Sequence, residues 1–252
     1  MHFWLGILLT ALMGVSLGLL GGGGSILAVP ILVHAFGEEA HAAIAISLAL
    51  VGSTALVAAL LHHREGLVDW RAGTLFVAAA APLSLLGAKA AMRLPGKLLL
   101  LLFGGMMLAA GWAMYRRRFD EPLAAREKRV AAMLGCGAVV GFLTGFLGVG
   151  GGFIIVPAMV LFLGKPMKQA VGTSLFVIAG NCAIALYGHR AALHMKWAIV
   201  LPSTLAALAG TVAGVMLSRR FSPAQVRRAF AALVGLLGAW MVGMNAGALI
   251  LH

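Results

Sequence analysis

The sequence predicts an all-α integral membrane protein built from two homologous halves, each a glycine-broken segment followed by three transmembrane helices. Three observations lead there. Hydrophobic residues make up 62% of the 252 positions and charged residues only 10%, against roughly 25% charged in an ordinary soluble domain. Apolar runs cover 42–61, 72–91, 98–115, 175–188, 198–217 and 229–251, several of them near the roughly 20 residues a helix needs to cross a bilayer. The chain also repeats itself at one constant offset, with Gly14 recurring as Gly141 and Trp70 as Trp197.

The repeat is read without gaps. Gly14, Gly18, Leu20, Gly21, Gly23, Gly24, Val29 and Pro30 meet Gly141, Gly145, Leu147, Gly148, Gly150, Gly151, Val156 and Pro157. The register persists at Gly37 with Gly164, Ser47 with Ser174, His62 with His189, Trp70 with Trp197 and Arg93 with Arg220. An Ala/Leu-rich composition alone does not align a Trp, a His and a Pro. The halves are expected at 1–115 and 131–252, joined by a charged connector at 116–130 that contains Pro122.

Each half opens on a broken segment, with the break at 21–24 in the first and 148–152 in the second. If each broken segment crosses once, the halves are parallel and the basic residues divide ten against nine. If each is re-entrant, the halves are inverted. The division is then fourteen (Arg64, Arg71, six in the connector, Lys165, Lys168, Arg219, Arg220, Arg227, Arg228) against five (Lys89, Arg93, Lys97, Arg190, Lys196). An excess of Lys and Arg marks cytoplasmic loops, which favours the inverted arrangement with the connector in the cytoplasm.

The formal charge of +12 does not indicate nucleic acid, because all seven acids and nearly all basic residues fall between apolar runs, where basic groups set topology and meet lipid head groups. The stretch Met1–Leu20 lacks a basic leader region and reads as a retained membrane segment. Cys136 and Cys182 lie in apolar stretches and read as buried thiols.

Clustered glycines weaken a helix by about 1 kcal/mol each relative to Ala, and irregular backbone survives in a membrane only when buried in protein or lining a cavity. The helical stretches after the breaks start with unpaired N–H groups and the positive end of a helix dipole, and without Cβ atoms an anion approaches them closely. The alternative is close packing of helices through small residues. Candidate binding residues are Gly22, Gly23, Gly24, Ser25, Gly150, Gly151 and Gly152. Ser47, Thr54, Thr173, Ser174 and Asn181 join them as polar groups within spans, with Asn181 the most polar. Ser84, Thr204 and Thr211 read as packing. His62, His63, His189 and Arg190, at the ends of the second and sixth segments, are candidates for attracting the anion or gating its path.

The motifs GLLGGGGSILAVPIL and GFLGVGGGFIIVPAM resemble the paired signatures of the sulfite exporter TauE/SafE family, membrane carriers for sulfite, sulfonates and related anions. The second copy carries the Gly-x-Gly-Gly-Gly…Pro form intact, whereas Gly22 stands in the first where Val149 stands in the second. The resemblance spans nearly the whole chain and implies transport of a small sulfur-containing anion across a bacterial inner membrane.

No carboxylate lies within a span, so the usual Asp/Glu relay for protons or sodium is missing. No Gly-Lys-Ser/Thr follows either glycine cluster, as a nucleotide-binding loop requires. No cofactor, metal or catalytic constellation is implied; the expected partners are the anion and lipid, with a homodimer allowed. A channel-like pore, an integral-membrane enzyme and a structural subunit are the competing classes.

Overall fold

A computed structural model describes residues 2–116, 126–147, 152–161, 164–188 and 196–250. Among them every regular element is helical. The order is α1 (His2–Leu20), a 3-10 segment (Gly21–Leu27), α2 (Ala28–His34), α3 (Ala40–His63), α4 (Trp70–Ala91) and α5 (Gly96–Arg116). The second half supplies α6 (Arg126–Leu147), α7 (Gly152–Leu161), α8 (Met167–Gly188), α9 (Trp197–Ser218) and α10 (Pro223–Ile250). Six segments among the described residues are long and apolar enough to cross a membrane: Phe3–His34, Ala40–His63, Trp70–Ala91, Met167–Tyr187, Trp197–Ser218 and Ala224–Met244.

Local chemistry sets the element ends. Asp69 caps α4 by accepting the Ala72 N–H at 3.0 Å. Gly37 and Gly164, equivalent in the two halves, carry φ of 71° and 60° as the chain leaves α2 and α7, a conformation that glycine adopts without steric cost.

The first broken segment folds back on itself. Phe3 and Phe36 stack edge to face with ring centroids 6.0 Å apart, whereas a straight helix would separate them by about 50 Å at 1.5 Å per residue. The reversal begins at Gly21, whose φ is 68°, and brings Gly24 against the backbone of Leu17. The structure refines one expectation here. The four glycines are not an irregular break: they are buried within the 3-10 segment, and the α-helix resumes at Ala28.

Packing then exchanges helices between halves: α1 lies along α9, and α4 along α6. Gly14 sits on the backbone of Ala207 and Gly18 on that of Thr211; at the equivalent positions of the second half, Gly141 sits on Ala80 and Gly145 on Ser84. Both seams match the small-residue contacts by which membrane helices approach. Ser84 and Thr211, read as packing residues, lie in these seams.

Helices α3 and α8 form the centre, with 61% of their apolar windows buried, against 31–39% in the other membrane-length segments. They approach closely where a Cβ placed on Gly52 would stand 2.9 Å from Cys182 Cβ. Outside, Trp4, Leu236, Trp197, Met216 and Trp112 are more than 60% exposed, an apolar girdle suited to hydrocarbon.

Ion pairs join loops of opposite halves. Lys165, before α8, pairs with Asp69, before α4, and Lys196, before α9, pairs with Glu38, before α3, at 2.9 Å. The starts of α4 and α8 therefore share one end of the molecule, and the starts of α3 and α9 share another.

Candidate functional site

Gly22 and Gly152, one from each glycine cluster, meet backbone to backbone. A Cβ on Gly152 would lie 2.5 Å from Gly22 Cα, and one on Gly22 would overlap the Gly152 carbonyl. Only glycine at both positions permits this approach. Gly22, Gly23, Gly24 and Ser25 are all buried; Gly150 and Gly151 lie outside the described residues.

Ser25 and Ser174 border this junction, each with its hydroxyl turned toward its own backbone. Ser25 donates to the Gly22 carbonyl at 2.7 Å. Ser174 donates to Val171 at 2.8 Å and borders Gly21, where an added Cβ would stand 3.1 Å from its Oγ. Ser47 donates to Ile44, and Thr54 to Leu50 and Val51. Thr173 is drawn into the loop network: its hydroxyl accepts the Asp69 N–H at 2.9 Å.

Asn181 is different. It is fully buried in the second half of α8, one residue from the Cys182 contact with α3, and neither its Oδ1 nor its Nδ2 has a hydrogen-bond partner among the described residues. A buried amide without partners carries a desolvation cost of roughly 1–3 kcal/mol, which a ligand or water can remove. Its repeat equivalent is Thr54, which satisfies itself on its own helix.

The two neighbouring histidines part company. His63 is exposed and accepts the Trp70 Nε1–H at 3.1 Å. His62 is 2% exposed. The Gly18 backbone and the Glu65 carboxylate lie beside its ring, but neither ring nitrogen closes a well-formed hydrogen bond among the described residues. His62 lines an open cavity with Glu65, Lys168, Ser218 and Arg219. Val171, which also lines it, packs against Gly21. His189 and Arg190 lie outside the described residues.

The sequence reading did not single out the Asp69–Lys165 and Glu38–Lys196 pairs, Lys168 or Arg219 as site residues. The repeat register held a signal for the pairs, because it places Glu38 on Lys165 and Asp69 on Lys196. Partial burial raises the Asp69 carboxyl pKa, but hydrogen bonds from the Ala72 amide and Lys165, with the Lys165 charge, outweigh it and hold the group below its ordinary value. Among the described residues no group of three His, Cys, Asp or Glu is placed to hold a metal ion.

A duplicated helical chain with membrane-length apolar segments and two glycine clusters meeting in its core has the makings of a polytopic transport protein. The chain belongs to the sulfite exporter TauE/SafE family, whose model matches residues 6–241. It is 32% identical over 246 residues to a probable membrane transporter protein of Xylella fastidiosa (strain 9a5c), covering 95% of this chain and 94% of that one. It is 25% identical over 267 residues to the probable membrane transporter protein YunE of Bacillus subtilis (strain 168), covering 96% and 98%. Against the probable membrane transporter protein MJ0441 of Methanocaldococcus jannaschii, identity is 24% over 252 residues, covering 94% of each chain. No solved structure gives a significant match. The protein is thus a multi-pass membrane transporter of this family.

Proposed function

We propose that the protein is a secondary carrier that moves a small sulfur-containing anion, such as sulfite or a short organosulfonate, across a bacterial inner membrane. The anion binds at the junction of the two glycine clusters, near the middle of the bilayer. The observation that carries this reading is the contact of Gly22 with Gly152, next to Gly21 and Ser174, because it brings backbone from both halves together at a point no Cβ shields. Gly23, Gly24 and Ser25 adjoin that contact in the chain, and Gly150 and Gly151 join the proposed ligands as the repeat equivalents of Gly23 and Gly24. Ser47, Thr54, Ser174 and Asn181 offer neutral donors, with Thr173 holding the adjoining loop. Each hydroxyl rotates its proton from a helix carbonyl to the ligand, and Asn181 gains the partner it lacks. Neutral donors hold an anion without burying a permanent countercharge, which costs several kcal/mol per ion.

In this reading the halves are inverted repeats and both broken segments are re-entrant. The return of Phe36 to Phe3 supports the re-entrant path. The shared end of the α4 and α8 starts, joined by Asp69 and Lys165, supports inversion, because single-crossing broken segments would put those starts on opposite sides. Transport then proceeds by one half rocking against the other around the fixed junction, as inverted-repeat carriers do.

The test is uptake of radiolabelled sulfite and a small sulfonate by proteoliposomes of the purified protein, with sulfate, acetate and chloride as competitors. Saturable uptake inhibited by sulfonates is the expected result. Flux that does not saturate replaces the carrier with a pore, and flat uptake of every sulfur anion by folded protein overturns the substrate class.

A further inference from the structure

We infer that the cavity beside His62 is a second anion site, a staging site from which substrate passes to the glycine junction on the connector side of the membrane. The inference rests on the transport reading above and adds to it a location, a set of ligands and a sidedness.

The cavity is built from both halves. His62, at the end of α3, supplies an enclosed imidazole whose nitrogens close no well-formed hydrogen bond among the described residues, and buried polar groups of that kind are few in native structures. Lys168 and Arg219 bring positive charge from the starts of α8 and the α9–α10 turn. Arg219 is held by Glu65, with Nε and Nη2 at 2.7 and 2.6 Å from the same carboxylate oxygen. The other Glu65 oxygen stands 3.7 Å from His62 Nδ1. Lys168 has no acidic partner among the described residues. Two cations, one carboxylate and a neutral imidazole leave one positive charge for the ligand. An oxyanion there accepts from Lys168 and from His62, and takes up the N–H groups of Arg219 that Glu65 leaves open; planar guanidinium recognises such oxygens in pairs.

The cavity reaches the proposed path. Val171 lines it and packs against Gly21, so one side-chain layer separates the staging site from the glycine junction.

The repeat supplies a second, independent argument. Equivalent positions in the other half hold His41 for Lys168, Met92 for Arg219 and Ala192 for Glu65, while His62 has His189. The imidazole is duplicated, but the permanent charges are not. If the halves are inverted, the fixed charges of Lys168 and Arg219 stand at the connector end, and the positions equivalent to them in the other half are His41 and Met92. Capture is therefore tighter from the connector side, because attraction by a fixed cation raises local anion concentration there.

The test is initial-rate uptake of radiolabelled sulfite by proteoliposomes in which the orientation of the protein is set, with substrate presented separately to each face. Lys168→Gln, at an exposed position, is expected to raise KM for sulfite from the connector face about fivefold. His62→Gln is expected to raise it about tenfold. From the opposite face KM should stay close to wild type while the maximal rate falls by the same factor, because a passive carrier keeps the ratio of maximal rate to KM equal in its two directions. Equal changes of KM from both faces, or no change in Lys168→Gln protein, overturn the staging site while leaving the carrier intact. Wild-type protein that moves no sulfite overturns both readings together.

Discussion

The Glu38 carboxylate lies 2.9 Å from the Lys196 ammonium, and at the equivalent positions of the repeat the same bridge returns with its charges exchanged, as Lys165 with Asp69. Each bridge ties the turn before α3 or α8 to the start of the helix packed across the half-to-half boundary. Exchanging the signs at both partners keeps each pair complementary, so the repeat retains the clasp without retaining the residues. Both clasps must loosen if the halves are to move against one another.

Breaking one clasp should be repairable by reversing it. Asp69→Lys sets two ammonium groups together and should lower stability by about 1–2 kcal/mol. Adding Lys165→Asp should restore the part due to charge but not the part due to the lost α4 cap. Thermal unfolding of the two single variants, the double variant and the wild type in detergent measures the coupling, and additive losses would show that the pair contributes nothing.

The same clasp predicts a pH effect with a definite sign. Asp69 in the folded protein titrates below its ordinary value of 3.8. Its stabilising contribution is therefore complete above that value, shrinks as pH falls from there through the folded pKa, and is absent below. Stability profiles of wild type and Asp69→Asn should run parallel at neutral pH and converge in acid below about pH 4.

The Gly22–Gly152 contact predicts a steric asymmetry among glycines. Gly22→Ala drives a methyl into the Gly152 backbone and should cost roughly 1–3 kcal/mol or more as the core shifts, with loss of transport. Gly105→Ala, where a Cβ meets nothing within 4 Å, should keep both properties. Melting temperature and uptake rate on the two variants decide it.

Asn181 separates function from stability. Its amide has no partner among the described residues, so Asn181→Leu should leave the melting temperature unchanged or raise it, since replacing an unsatisfied polar group removes its desolvation cost. Sulfite uptake should nevertheless fall about tenfold or more, the effect of losing a hydrogen bond to a charged ligand. A large fall in stability would assign Asn181 to the architecture and not to the site.

The inverted arrangement fixes which loops share a face of the membrane. In protein with Cys136 and Cys182 replaced, single cysteines at Gly66 and Gly164 should react with an impermeant thiol reagent from the same face of the membrane. A cysteine at Lys196 should react from the other face. Reaction at 66 and 164 from opposite faces would show that the broken segments cross the bilayer.

What the sequence by itself determined was periodic and local. Hydropathy over about 20 residues marked the spans, because hydrocarbon selects for apolar length regardless of what packs beside it. A constant offset between the halves revealed the duplication, and glycine density at 21–24 and 148–152 marked where the backbone would come under close approach. Tertiary structure decided the pairings. It laid α1 against α9 and α4 against α6, brought Gly22 to Gly152, and closed a cavity around His62 with residues from both halves. It also sent His62 inward and the adjacent His63 out to Trp70. These outcomes depend on which helix faces meet, and a span apolar on every side does not encode its neighbours in its own hydrophobic pattern.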